Sequence, residues 1–529
     1  MQIRVRANRR WPPSRVLIFF GLLIFCNITL LIGFFSTPIV GDVTVNLASS
    51  KQAKYLGHWP SSVIESWDLR GLLNKNLMFF LERLSDFDAF NSISTKELII
   101  KAVYFSLVML IIIISAIVLR EHFSNQIDFL FLVLLMGITV FSVSNSFVAL
   151  QAELSAAIVG ILITALTSSG NRKKLILSGI LCCVTFGFKG VTVLIGISAV
   201  FAGFALNRSN FISRLRTVGG SFLISISLYF FAMIFIIPSE LIDLGNATSL
   251  QSNFSYSILG RLKISIGSVI FQWPHVPIFA IGIFFYCGLG IKCLKSKISN
   301  SSSKKRDELF LLTLSLFFAF CSILVQSKGF GYHLASMIPF SFAAILQHFN
   351  GSVKLRIMNN QLLYLSFVFC LIVASPTQSN IWGNFLKSYA FQITTDNQSF
   401  RFNYESRNQA LVSLGNRIDE KCSGDILFLD FGSNYAVDNK SWLRFVVPMP
   451  IQRDVISKKG LILQRETVEH AIKFTGECVT IEPSRMNSVL QPWALPLYNQ
   501  IGLNYFAIWD ETYQLYGENR TTFILRRKS

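Results

Sequence analysis

Acids, bases and aromatic rings gather where this apolar chain leaves its first greasy segment. Asp42, His58, Glu65, Asp68 and Arg70, with Trp59 and Trp67, all fall between Ile39 and Gly71. A carboxylate such as Asp42, six residues past the end of that segment, can take a proton from an acceptor hydroxyl. It can equally be a solvated loop acid, or the N-cap of a helix over "VTVNLASSKQAKYL". "SWDLRG" sets Trp67 beside Asp68, with Arg70 two residues on, and leads into "LLNKNLMFFLERL". That stretch has helical spacing with one apolar face. It suits a helix lying along a membrane surface, with the Trp as its anchor.

Further polar residues sit at the ends of apolar runs. Lys189 falls at a junction, in "FGFKGVT", and Lys328, Tyr332 and His333 fall in "QSKGFGYH". Cations placed there can stabilise a departing phosphate, or reach out to water from a helix end. Glu153, in "ALQAELSAAIVG", either complements a helix dipole or faces a cavity, and the residues alone leave both open.

The elements that must position these groups are membrane spans. Of 529 residues, 52% are hydrophobic and 15% charged, against about 25% charged in soluble chains. Eleven apolar segments are long enough to serve, at 16–35, 98–119, 127–145, 147–168, 174–188, 190–206, 217–237, 276–294, 309–326, 333–348 and 360–376. The first follows "RVRANRRWPPSR" and meets no small-residue cleavage site, so it reads as an uncleaved span rather than a signal peptide. The net charge of +19 does not point to nucleic acid, because the basic residues cluster in short connections: "RVRANRR", "SGNRKK", "NRSNFISRLR", "KSKISNSSSKKR" and "GSVKLR". The alternate connections, including the long loops 36–97 and 238–275, are poor in Lys and Arg. This asymmetry puts the N-terminus in the cytoplasm and the C-terminus outside a plasma (inner) membrane. Asp42, Glu65, Trp67, Asp68, Arg70, Glu153, Lys189, Lys328, Tyr332 and His333 then share one outward-facing end.

Residues 377–529 read as a small extracytoplasmic α/β domain after a membrane domain over 1–376. "DILFLDFG", "CVTIEP", "NYFAIWD" and "TTFILRR" have strand character, and "ILQRETVEHAIKFTG" is an amphipathic helix. The domain holds two cysteines, Cys422 and Cys478. In an exported domain such a pair is expected to form a disulfide.

The chain has no P-loop, no H-E-x-x-H, no paired C-x-x-C and no G-x-S-x-G. "DFD" at 86–88 would fall outside, where nucleotide sugars are scarce, so a transferase there needs a lipid-carried donor. The layout resembles the GT-C class of integral-membrane glycosyltransferases, such as the protein O-mannosyltransferases and the aminoarabinose transferases acting on lipid A. The resemblance runs through "PIVGDVTVNLASSKQAKYLG", "SWDLRGLLNKNLMFFL", "LQAELSAAIVGILITAL", "GILCCVTFGFKGVTVLIG" and "QSKGFGYHLASMIPF".

The resemblance implies a mainly α helix bundle. It implies transfer of a sugar from a polyprenyl-phosphate donor to a hydroxyl on a glycan, lipid or protein acceptor. Asp42 would be the general base and Asp68 a second catalytic acid. Arg70, Lys189, Lys328 and His333 would meet the donor phosphate, with Glu65, Trp67, Glu153 and Tyr332 lining the cavity. No cofactor is certain. A divalent metal stays an open alternative, since Val43 stands where the class carries a second acid. Other readings are a transporter or flippase, a polymerase or ligase of lipid-linked glycans, and a scaffold presenting the tail.

Overall fold

The computed structural model describes residues 13–36, 39, 42–55, 71–85, 93–122, 129–142, 150–236, 258–272, 277–296, 302–326, 331–350, 400–430, 433–437, 441–443, 458–483, 494–515 and 518–528. The first part is a helix bundle: α1 (Pro13–Ser36), α2 (Asp42–Tyr55), α3 (Leu72–Ser85), α4 (Ile93–His122), α5 (Phe129–Phe141), α6 (Ala152–Ser169), α7 (Arg172–Phe188), α8 (Val193–Leu206), α9 (Phe211–Phe235), α10 (Ile258–Gln272), α11 (Pro277–Ser296), α12 (Ser302–Gln326) and α13 (Ile338–Asn350). Every expected span contains a helix except 360–376, which lies outside the described residues.

Several boundaries need correction. The span expected from 147 begins at Ala152, after Leu150 takes a positive φ of 67°. Those expected from 190 and 333 open with tight 3-10 turns, Gly190–Thr192 and Gly331–Met337, before the α-helices start. The span expected from 309 extends back to Ser302, because a helix continues through polar flanks that hydropathy discards. The connection 36–97 holds two helices, α2 and α3, over the two stretches with helical readings in the sequence.

Four helical stretches are long and apolar enough to cross a membrane: Thr95–Arg120, Ala152–Ser169, Phe211–Phe235 and Lys305–Gln326. Five more apolar helices are shorter. Burial separates their roles. Helix α6 is buried along nearly its whole length and forms the axis of the bundle. Helix α9 instead exposes Leu223, Ile224, Leu228, Phe231 and Phe235. Such a face is stable only against hydrocarbon or a partner, as befits a membrane protein. Small residues permit the close helix approaches: a Cβ on Gly203 would strike the Thr164 carbonyl at 2.6 Å.

The C-terminal part is α/β. It comprises α14 (Phe400–Lys421), β1 (Ile426–Leu429), α15 (Ser433–Ala436), α16 (Lys458–Ile472), β2 (Cys478–Ile481), α17 (Leu495–Asn504), β3 (Tyr505–Leu515) and β4 (Glu518–Arg527). The sheet order is β1-β2-β4-β3, with β1 and β2 parallel across the α16 crossover and the other pairs antiparallel. All four strands arise where the sequence pattern expects them. Cys422 and Cys478 are bonded, tying the end of α14 to the first residue of β2.

This part touches the bundle through α2. Lys51 Nζ donates to the Tyr435 carbonyl at 3.4 Å, and the Ser441 amide donates to Gln52 Oε1 at 3.3 Å. The Tyr435 ring packs against the main core.

Candidate active site

Two helix junctions build the site. The first lies between α7 and α8. Lys189 is the C-cap residue of α7, in extended conformation, and the Gly190–Thr192 turn follows it. Thr192 holds the turn, its amide donating to the Lys189 carbonyl at 2.8 Å. The side chain of Lys189 is thereby released from helical packing. Its Nζ donates to Glu153 Oε1 at 2.7 Å and to Gln326 Oε1 at 3.0 Å.

Glu153 lies in the first turn of α6, where a carboxylate complements the helix dipole, and is fully buried against the Lys189 ammonium. A fully buried carboxylate is tolerable only where it meets a cation. Gln326, the last residue of α12, is the third member, and the sequence reading missed it.

Helix α3 closes against this junction. The Gly71 amide donates to the Phe188 carbonyl at 2.8 Å, one residue before Lys189. A Cβ on Gly71 would meet the Gly187 carbonyl oxygen at 2.2 Å. The contact therefore requires glycine, and proline would also lose the donated hydrogen bond. Asn74 and Lys75 follow in the first turn of α3, both buried.

The second junction delivers Asp42. Helix α1 ends at Ser36, and Asp42 is the first residue of α2. Two buried charged residues of α4 grip the connection. Lys101 Nζ donates to the Phe35 carbonyl at 3.2 Å, and the Ile39 amide donates to Glu97 Oε2 at 3.4 Å. Glu97 and Lys101 stand one helical turn apart, so one face of α4 holds both ends of the link. Helix α2 itself is buried through Val43, Asn46, Leu47, Ser49, Ser50 and Gln52.

His333 is buried in the Gly331–Met337 turn, and its carbonyl accepts from Ser336 Oγ at 2.6 Å. Tyr332 belongs to the same turn, which packs against α6 and α12. The structure thus unites Lys189 with Glu153. Glu65, Trp67, Asp68, Arg70 and Lys328 lie outside the described residues. Among the described residues, no three His, Cys, Asp or Glu side chains are grouped so as to hold a metal ion.

No family model matches the chain, and no curated protein matches it. Solved structures do. The crystal structure of ArnT from Cupriavidus metallidurans bound to undecaprenyl phosphate aligns at TM-score 0.50 and 12% identity, over 97% of this chain and 98% of that one. The apo state of ArnT aligns over the same shares at TM-score 0.49. ArnT is of the GT-C class. The chain has a GT-C-like fold. At this identity the likeness speaks for the fold, over 97% of the chain.

Proposed function

We propose that the protein is a membrane glycosyltransferase that moves a sugar from a polyprenyl-phosphate donor to an acceptor hydroxyl at the outer membrane face, with Asp42 as general base. The carrying observation is the cluster of Lys189 and Gln326 on the buried Glu153, beside the Gly71–Phe188 contact, within a GT-C-like fold. The solved relative with this fold holds undecaprenyl phosphate, and the chemistry fits such a ligand. The acceptor oxygen attacks the anomeric carbon as its proton passes to the Asp42 carboxylate. The bond from that carbon to the phosphate oxygen breaks, and polyprenyl phosphate leaves with the electron pair. Direct displacement inverts the anomeric centre.

The leaving phosphate needs positive charge. Lys189, Arg70, Lys328 and His333 fill that role in this reading. Lys189 waits on Glu153 and exchanges part of that contact for phosphate oxygen. Asp68 is the second catalytic acid, and Glu65, Trp67, Glu153 and Tyr332 line the cavity. Helix α2 starts at Asp42.

The test is release of free polyprenyl phosphate by the purified protein from a panel of polyprenyl-phosphate sugars, with candidate acceptors present. Asp42→Asn is expected to lower turnover by about 10²–10⁴-fold while donor binding persists. Full activity in that variant would move the base to Asp68 or Glu65. Absence of release from every donor by folded protein, together with sugar-lipid flux across vesicles, would replace the transferase by a flippase.

A further inference from the structure

We infer that Asn74 recognises sugar hydroxyls in this site, an inference that rests on the glycosyl-transfer reading above. Helix α3 turns one face inward through Asn74, Met78, Leu81 and Ser85, at helical spacing. Met78 and Leu81 belong to the main core, and Ser85 donates to the Glu82 carbonyl at 2.7 Å. Asn74 heads that face and is 0% exposed. Among the described residues, neither its Nδ2 nor its Oδ1 has a hydrogen-bond partner. A buried amide with both halves unpaired is a standing cost to folding, and a leucine would fill the same volume without it. The backbone fixes where the amide sits. The Asn74 amide nitrogen donates to the Gly71 carbonyl at 3.0 Å, and Gly71 donates to Phe188, next to Lys189.

The chemistry of the spare atoms sorts the ligand. Gln326 has its Oε1 engaged by Lys189, and its buried Nε2 is without a partner among the described residues. That group is a donor only, and it suits an acceptor-only phosphate oxygen. Asn74 offers a donor and an acceptor together. A phosphate would leave its Oδ1 unpaired. A hydroxyl both donates and accepts, so a pair of neighbouring sugar hydroxyls satisfies both halves. The sugar could be that of the donor lipid or that of a glycan acceptor, which share this chemistry.

Asn74→Leu and Asn74→Asp, in the full-length detergent-purified chain, test the assignment. Binding is read for bare polyprenyl phosphate and for polyprenyl-phosphate sugars, alongside KM for donor and acceptor. Asn74→Leu is expected to melt no lower than wild type and to bind bare polyprenyl phosphate within about twofold of it. Its affinity for a sugar-bearing partner should fall about tenfold or more, the scale of one lost ligand hydrogen bond. A fall in donor affinity assigns the donor sugar, and a rise confined to acceptor KM assigns the acceptor. Asn74→Asp, which keeps the acceptor half, should lie between. Unchanged binding and KM in folded Asn74→Leu overturns the proposal while leaving the transferase reading intact. A melting point lowered in both variants, with bare-lipid binding lost, makes Asn74 structural and also overturns it. Failure of the wild type to bind any polyprenyl phosphate overturns the transferase reading and this proposal with it.

Discussion

Helix α6 has a cation at each end, and the two are held differently. At its last turn Arg214, on α9, donates to the carbonyls of Thr167, Asn207 (2.5 Å) and Ser209 (3.2 Å), over the face of Phe204. All these acceptors are main chain, and Thr167 offers one of the carbonyls that the end of α6 leaves open. At the first turn Lys189 meets two side chains, Glu153 and Gln326. Main-chain acceptors cannot leave without unwinding a helix. Side-chain acceptors can turn away and let a ligand in. The Arg214 end is a stitch, and under the proposed function the Lys189 end is one that a ligand reopens.

The sharpest way to break that contrast is at Lys189. Lys189→Met is expected to lower turnover by about 10²–10³-fold, the scale of one lost transition-state contact. The double variant Lys189→Met with Glu153→Gln should regain the melting temperature, because no buried charge is left alone, yet stay inactive. Recovered turnover in the double variant would make the pair a structural stitch like Arg214. Arg214→Ala should do the reverse. Losing its charge-assisted bonds costs about 3 kcal/mol, read as a lowered melting temperature, while turnover per folded molecule stays near wild type.

The sequence made one of these ends visible and hid its wiring. Apolar length exposed the spans, and the strand pattern with Cys422 and Cys478 exposed the sheet and its disulfide. Lys189 stood out because a charge between two apolar runs is rare. Its partner Gln326 did not, since a neutral amide at a span edge carries no signal and the contact joins residues 137 apart in sequence. Helix α2 was legible only as one alternative for Asp42, the cap of a helix. It buries Asn46, Ser49, Ser50 and Gln52 along with Val43 and Leu47, so it has no apolar stripe to decide between helix and loop. Asn74 lay within an amphipathic helix whose pattern places it but gives no hint that its amide is unpaired.

Lys101 falls between the two cases and offers the finest test. Like Arg214 it donates to a main-chain carbonyl at a helix end, that of Phe35. Like Lys189 it lies near a residue proposed to do chemistry, because Phe35 precedes the link that delivers Asp42. If acceptor type alone fixes the role, Lys101→Met should lower only the melting temperature. If the clamp with Glu97 sets where Asp42 stands, turnover should fall about tenfold, a small misplacement being worth up to about 10²-fold. Donor affinity should then be unchanged, since no phosphate contact is touched. We expect the second result, with Glu97→Gln showing a smaller loss of the same kind, because the neutral amide still offers an acceptor oxygen to the Ile39 amide. Equal loss of donor affinity and turnover in Lys101→Met would instead put Lys101 in the phosphate site. That outcome would end the distinction between main-chain and side-chain capture.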